Sequence, residues 1–124
     1  MENTIVWADI PVTDMDRARA FYAAVLQAEI PVMEGTEGKV ALLPGEMGGA
    51  SADLALTEDR KPSLDGSTVY LNSRGDPKGM LGRAVAAGGQ ELMPITDMGP
   101  MIGSIGFFKD SEGNRVGVHL PPAM

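Results

Sequence analysis

The order of predicted secondary-structure elements in the first half of the chain returns in the second half. A strand over 5–12 leads into a helix over 14–26, where apolar residues recur three and four positions apart. A strand over 68–72 leads into a helix that opens at Asp76-Pro77 and ends at Gly88-Gly89. Further strands follow each helix, at 39–43, 51–56, 105–108 and 115–120. The repeat predicts one α+β domain made of two related halves.

The chain has the length of a single core, 124 residues, so we treat 1–124 as one domain. We place module 1 at about 1–60 and module 2 at about 67–124. A charged linker with Pro62 and Gly66 is expected at about 58–66.

Charge and composition exclude several classes of function. A net charge of −7 with 10 scattered Lys and Arg residues does not suit a nucleic-acid partner. With no cysteine there is no disulfide, thiolate nucleophile or Cys-ligated metal site. No apolar run reaches the roughly 18 to 20 residues of a membrane helix, and the start lacks a signal-peptide pattern. We therefore expect a cytoplasmic protein without a membrane partner.

Two segments carry a family resemblance. The first runs from Trp7 to Tyr22 and reads WADIPVTDMDRARAFY, and the second runs from Phe108 to Gly117 and reads FKDSEGNRVG. Together they resemble the vicinal oxygen chelate superfamily, which includes glyoxalase I, bleomycin-resistance proteins and extradiol dioxygenases. The resemblance implies two βαβββ modules forming a curled mixed sheet around a cavity, and a homodimer.

If the fold is shared, one face of the strands packs under the helices and the other faces the cavity. The helix side is then expected to hold these residues: Val6, Ala8, Ile10, Val69, Leu71, Val116 and Val118. The cavity side is expected to hold a more polar set: Trp7, Asp9, Thr68, Tyr70, Asn72, Gly117 and His119. A pocket with an aromatic wall and a few polar groups suits a small molecule.

Metal-dependent members of this superfamily place His and Glu ligands at four equivalent strand positions. Carried over to this chain, those positions are Trp7, Asp53, Thr68 and Gly117. Only Asp53 is a good metal ligand, because Trp offers no lone pair and Gly has no side chain. We therefore expect no metal and no other cofactor.

The candidate ligand-binding residues are Trp7, Asp9, Asp53, Thr68, Tyr70 and His119. Asp9 and His119 are also candidate acid-base catalysts, but each has a simpler alternative as a salt-bridged or rim residue. Trp7 could stack on a planar ligand or fill the space of a metal centre. Tyr70 could orient a ligand through its hydroxyl.

Three functions stay open on the sequence. The first is a metal-free protein that binds, or transforms by acid-base chemistry, a small apolar or aromatic molecule. The second is a metal-dependent lyase or dioxygenase with a rearranged site of Asp53, His119 and Asp9. The third is a ligand-sensing or partner-binding module.

Two further segments are rich in turn and loop residues. The segment 93–101 contains three methionines, Met93, Met98 and Met101, and two prolines, Pro94 and Pro100. It is expected to be a loop over the cavity or an ordinary connection. The segment 110–114, which reads DSEGN, is expected to be a structural turn.

Overall fold

The computed structural model describes residues 4–34, 38–46 and 49–122. Both ends of the predicted domain therefore lie outside the described residues. The described residues form two helices, α1 (Met15–Leu26) and α2 (Pro77–Ala86). The strands, in chain order, are β1 (Trp7–Pro11), β2 (Val32–Glu34), β3 (Lys39–Leu42), β4 (Ser51–Leu56), β5 (Val69–Asn72), β6 (Gln90–Asp97), β7 (Ser104–Lys109) and β8 (Arg115–Leu120).

The strands form two four-stranded mixed sheets with the same internal order. The first is ordered β1-β4-β3-β2 and the second β5-β8-β7-β6. In each sheet the first strand runs parallel to its neighbour, and the remaining pairs are antiparallel. The α+β fold of two βαβββ halves predicted from the sequence is confirmed.

Both helices begin at an aspartate, as predicted. The Asp14 carboxylate accepts the backbone N–H of Arg17, and the Asp76 carboxylate accepts that of Gly79. The prolines and glycines of the second helix also match, since Pro77 opens it and Gly88 follows it with φ +107°. Neither helix in the described part of the chain is long and apolar enough to cross a membrane.

The two strand faces separate as the alternating pattern predicts. Ile10, Leu71, Val116 and Val118 are buried in the core between the sheets and the helices. Three of the residues predicted for the helix side depart from this pattern: Val6 precedes β1 and is 65% exposed, and Ala8 and Val69 are half-buried and line a large cavity described below. Phe21 and Tyr22 are buried on the inner side of α1, packed edge to face.

The residue pattern did not predict two of the strands, β2 and β6. β2 has three residues, too few for an alternating pattern to show. β6 covers Met93 and Pro94, so the loop predicted there is wrong over this range, and only the turn around 99–103 lies outside strands. A proline fits because β6 is an edge strand whose register shifts between Met93 and Thr96.

The predicted turn at 110–114 is confirmed and joins the two halves. The Asp110 carboxylate accepts the backbone N–H groups of Glu112, Gly113 and Asn114. It also accepts the buried hydroxyl of Tyr22 on α1, while the Asn114 amide donates to the Pro11 carbonyl at 2.8 Å. One buried carboxylate thus connects the β7–β8 hairpin to β1 and α1.

Glu112 forms the outer part of the same junction. Its carboxylate accepts the backbone N–H groups of Thr13 and Asp14, each at 2.9 Å, and the Arg17 guanidinium at 2.7 Å. Burial opposes its ionisation, but these hydrogen bonds outweigh burial and lower the pKa of Glu112 from 4.5 to about 2.

We predict that Glu112→Gln lowers the free energy of unfolding by about 2 kcal/mol at pH 7, the scale of a lost charged hydrogen-bond set. Because the folded pKa lies below the unfolded value, this stabilisation exists above pH 4.5 and is lost as pH falls toward 2. Urea unfolding at pH 7 and pH 3 measures it. Glu58→Gln, at an exposed position, is the matched control; an equal loss in both variants would contradict the prediction.

Candidate ligand-binding site

A cavity of about 580 Å³ is lined by residues of β1, β4 and β5. Trp7, Thr68, Tyr70 and Asn72 lie in its wall, together with apolar side chains that include Leu43. Thr68 precedes β5 rather than belonging to it, although it keeps its place in the wall. The cavity has the size and mainly apolar lining of a small-molecule site.

Two exposed aromatic rings, those of Trp7 and Tyr70, lie on the strand face that was expected to line the cavity. Trp7 is 45% exposed and Tyr70 is 48% exposed. The Tyr70 ring lies directly over Gly117, where an added Cβ would overlap the ring carbons. The glycine at this position therefore gives Tyr70 the space to lie against the sheet, and Phe107 packs beside it at 5.7 Å between centroids.

Asp9 and Asp53 are directly opposite each other on the parallel strands β1 and β4. The Trp7 indole N–H donates to Asp53 Oδ2 at 3.1 Å, and Arg60 Nη1 donates to Asp9 Oδ2 at 2.6 Å. Asp53 is only 6% exposed, and its Oδ1 has no hydrogen-bond partner among the described residues. Neither carboxyl lines the large cavity; Asp9 instead lines a second cavity of about 340 Å³, beside Arg60 and Arg115.

The two carboxyls titrate differently. Burial, followed by the neighbouring Asp9, raises the pKa of Asp53 from 3.8 to about 6. The pKa of Asp9 is lowered, chiefly because protonated Asp53 can donate a hydrogen bond to it. The partial burial of Asp9 opposes this shift, and the Arg60 guanidinium adds to it. The pair can therefore hold one proton in mildly acidic solution, which gives Asp53 the chemistry of an acid or a base near neutral pH.

His119 lies apart from this pair. Its Nε2 is 2.7 Å from the Ile102 carbonyl oxygen, and its ring packs against the edge of Tyr70. The residue is thus tied to the turn between β6 and β7. The sequence predicted that His119 shares a face with Tyr70, and the packing of the two rings agrees.

The residues at the superfamily's metal positions do not fit a metal. Asp53 already accepts the Trp7 indole, and Tyr70 covers the Gly117 position. Among the described residues, no group of three or more His, Cys, Asp or Glu side chains could hold an ion. The rearranged set of Asp53, His119 and Asp9 is therefore not assembled in this structure.

The sequence analysis did not identify two basic residues that line the cavities, Arg60 and Arg74. Arg60 lies in the charged segment between β4 and β5, and its pairing with Asp9 spans 51 residues. Arg74 lies two residues after Asn72, and both line the large cavity. Its only sequence signal is the adjacent Gly75, which marks a turn after β5.

We predict that Asp53→Asn raises the free energy of unfolding by on the order of 1 to 2 kcal/mol at pH 8, because the folded protein then holds no ionised buried carboxylate. The folded pKa lies above the unfolded value, so this advantage shrinks as pH falls from 6 toward 4. Urea unfolding at pH 8 and pH 4.5 measures it, with exposed Asp65→Asn as control. A variant less stable than the parent at pH 8 would refute the assignment.

Comparison with known proteins gives the family. Residues 4–118 match the model of the Glyoxalase/Bleomycin resistance protein/Dioxygenase superfamily. A glyoxylase-like domain-containing protein of Didymella fabae is 27% identical over 130 residues, 98% of this chain and 97% of the relative. A glyoxalase-related enzyme from Fulvimarina pelagi has a TM-score of 0.68 at 16% identity, covering 95% of this chain and 88% of that one. An antibiotic-binding protein from a Streptomyces species has a TM-score of 0.61 at 18% identity, covering 97% of each chain. The family match spans most of the sequence, and the chain belongs to the glyoxalase/bleomycin resistance protein/dioxygenase superfamily.

Proposed function

We propose that this protein binds a small apolar or aromatic molecule in the cavity between β1 and β5, without the metal that many members of its superfamily use. The observation that carries the proposal is the cavity itself: about 580 Å³, mainly apolar, with Trp7 and Tyr70 half-exposed in its wall. Exposed aromatic surface that faces a concavity is what a planar ligand would cover.

The aromatic side chains are well placed for such a role. Trp7 is held through its indole N–H by Asp53, and Tyr70 is seated on Gly117. Rings fixed by neighbours lose little freedom when a ligand arrives, so more of the contact energy appears as affinity. The Streptomyces antibiotic-binding protein supports this class of function by its shared fold alone.

A second candidate function is metal-free acid-base catalysis. The observation that favours it is Asp53, whose pKa of about 6 lies near the working range of a catalytic base. Asp53 is almost completely buried, so a substrate would reach the pair through the more exposed Asp9. Turnover of a bound compound that is lost in Asp53→Asn, while binding remains, distinguishes this function from sequestration.

We also propose that the protein is a homodimer, with the cytoplasm as its expected location. β2 and β6 are the outer strands of the two sheets, and unpaired strand edges tend to be covered. Met33 on β2 and Ile102 beside the end of β6 expose apolar side chains that a second copy could bury.

We predict that planar aromatic compounds of drug-like size quench or shift the emission of Trp7, the single tryptophan of the chain. Tyr70→Ala should weaken the binding of a compound found in this way about tenfold, the scale of a lost aromatic contact together with its buried area. Fluorescence titration measures the affinity of the parent and of this variant.

Val85→Ala is the matched control, because Val85 is an exposed apolar residue of α2 outside the cavity wall. Trp7→Ala, followed by calorimetry, gives an independent second variant. Binding that both Tyr70→Ala and Trp7→Ala leave unchanged would place the ligand elsewhere and overturn the proposal.

For the assembly, sedimentation at increasing concentration is expected to show a species of twice the chain mass. Met33→Asp should shift the population toward single chains, since a charge would be placed against the partner. A protein that sediments only as single chains at high concentration contradicts the dimer.

A further inference from the structure

A smaller cavity of about 210 Å³ lies between the end of α1 and the start of α2. Leu26 and Arg74 line both this cavity and the large one, so the two spaces share a wall. The smaller space also has Ser73, Asp76 and Arg83 in its lining. Its lining is mainly polar, in contrast to the aromatic wall of its neighbour.

Arg74 stands in an unusual backbone conformation. Its φ is +53°, a region that residues other than glycine rarely occupy, and the Asn72 side chain holds it by accepting the Arg74 N–H at 2.8 Å. Its guanidinium has no hydrogen bond or ion pair with any residue that the structure describes. Strain of this kind concentrates at functional positions, and here it accompanies a cation at the common wall.

Arg83 supplies a second cation from α2. Its Nε donates to the Val25 carbonyl at 3.1 Å, and its Nη1 is 3.9 Å from Asp76 Oδ2. Because a guanidinium has five N–H donors, most of them stay available. The side chain is 27% exposed, so a ligand could reach it.

Ser73 adds a buried hydroxyl without a partner. The residue is 3% exposed, and its Oγ forms no hydrogen bond with the described residues. A buried hydroxyl that lacks a partner destabilises a folded protein by about 1 to 3 kcal/mol. The oxygen itself is enclosed, so a ligand in the small cavity that Ser73 lines becomes its partner only when the side chain turns toward that cavity.

The charges around the small cavity favour an anion. Arg74 and Arg83 carry two positive charges against the one negative charge of Asp76. Asp76 is occupied in part, because its Oδ1 accepts the Gly79 N–H at 3.0 Å as the cap of α2. The start of α2 adds a partial positive charge and the end of α1 a partial negative one, so the helix ends roughly cancel and the two arginines decide the sign. A locally positive site therefore stands out in a chain whose net charge is −7.

We infer that the small cavity binds an oxyanion, a carboxylate or phosphate group, on a ligand whose apolar body occupies the large cavity. The position of the apolar body rests on the proposed function, and the position of the oxyanion rests on the two arginines of the small cavity, Arg74 and Arg83. The ligand class is thus an aromatic or aliphatic acid, or a phosphate ester with an apolar group.

The test compares three probes with one ring system: 2-naphthoate, 2-naphthyl phosphate and neutral 2-naphthalenemethanol. Calorimetry in low salt is expected to show that both anions bind at least tenfold tighter than the alcohol. Arg74→Asn, which tolerates positive φ, should reduce the affinity for the anions about tenfold and the affinity for the alcohol much less, since the alcohol meets only the part of Arg74 that lines the large cavity. Lys61→Gln, which removes a cation that lines neither the large nor the small cavity, is the control for general charge effects.

Ser73→Ala gives a second, independent variant. The free protein should melt at the same temperature or higher, because an unpartnered buried hydroxyl is removed. Its affinity for 2-naphthoate should nevertheless fall severalfold. A hydroxyl with a purely structural role would give the opposite melting result and no loss of affinity.

The outcomes separate the two proposals. If the alcohol binds as tightly as the anions and Arg74→Asn changes neither, the oxyanion site is overturned while the proposed function stands. If no probe shows binding that depends on Tyr70, the proposed function fails. Titration with inorganic phosphate then decides the smaller site: saturable amide shifts at 73–79 in the NMR spectrum support it, and their absence overturns it.

Discussion

A buried carboxylate, that of Asp110, is the central polar link between the two halves of the chain. Its oxygens accept three backbone N–H groups of its own turn, the Tyr22 hydroxyl and the Asn114 amide. Tyr22 belongs to the first half of the chain and the turn to the second, so the carboxylate holds the halves together. Asn114 extends the connection to the Pro11 carbonyl at the end of β1. The polar network is satisfied at both oxygens, which a buried charge requires.

With the halves linked in this way, a cavity remains between them. The strands form two separate sheets, so side chains rather than a continuous backbone ladder decide what lies between β1 and β5. The two halves fill equivalent places differently. In the first sheet Asp9 is opposite Asp53, and in the second Tyr70 is opposite Gly117. A repeated fold therefore places a pair of carboxylates in one sheet and an aromatic ring at the equivalent place in the other, and of these residues only Tyr70 lines the large cavity.

The sequence predicts most of the strand faces, because the alternation of apolar and polar residues along a strand is visible in adjacent residues. It predicts the caps at Asp14 and Asp76 for the same reason. It does not predict β6, where Pro94 argued against a strand and only its edge position makes the residue acceptable. Nor does it predict the pairing of Asp9 with Asp53 or with Arg60, since both depend on register between segments far apart in the chain.

Several departures from ordinary local structure lie in or beside the walls of the two adjoining cavities. Asp53 is buried with an oxygen that lacks a partner among the described residues, and it holds Trp7 in the cavity wall. Ser73, which lines the small cavity, has a hydroxyl without a partner among the described residues, and Arg74 beside it has a strained backbone and lines both cavities. Each departure costs on the order of 1 to 3 kcal/mol, which is a large share of the stability of a small domain. A ligand that reaches the walls of these cavities would supply polar partners there and offset part of such costs.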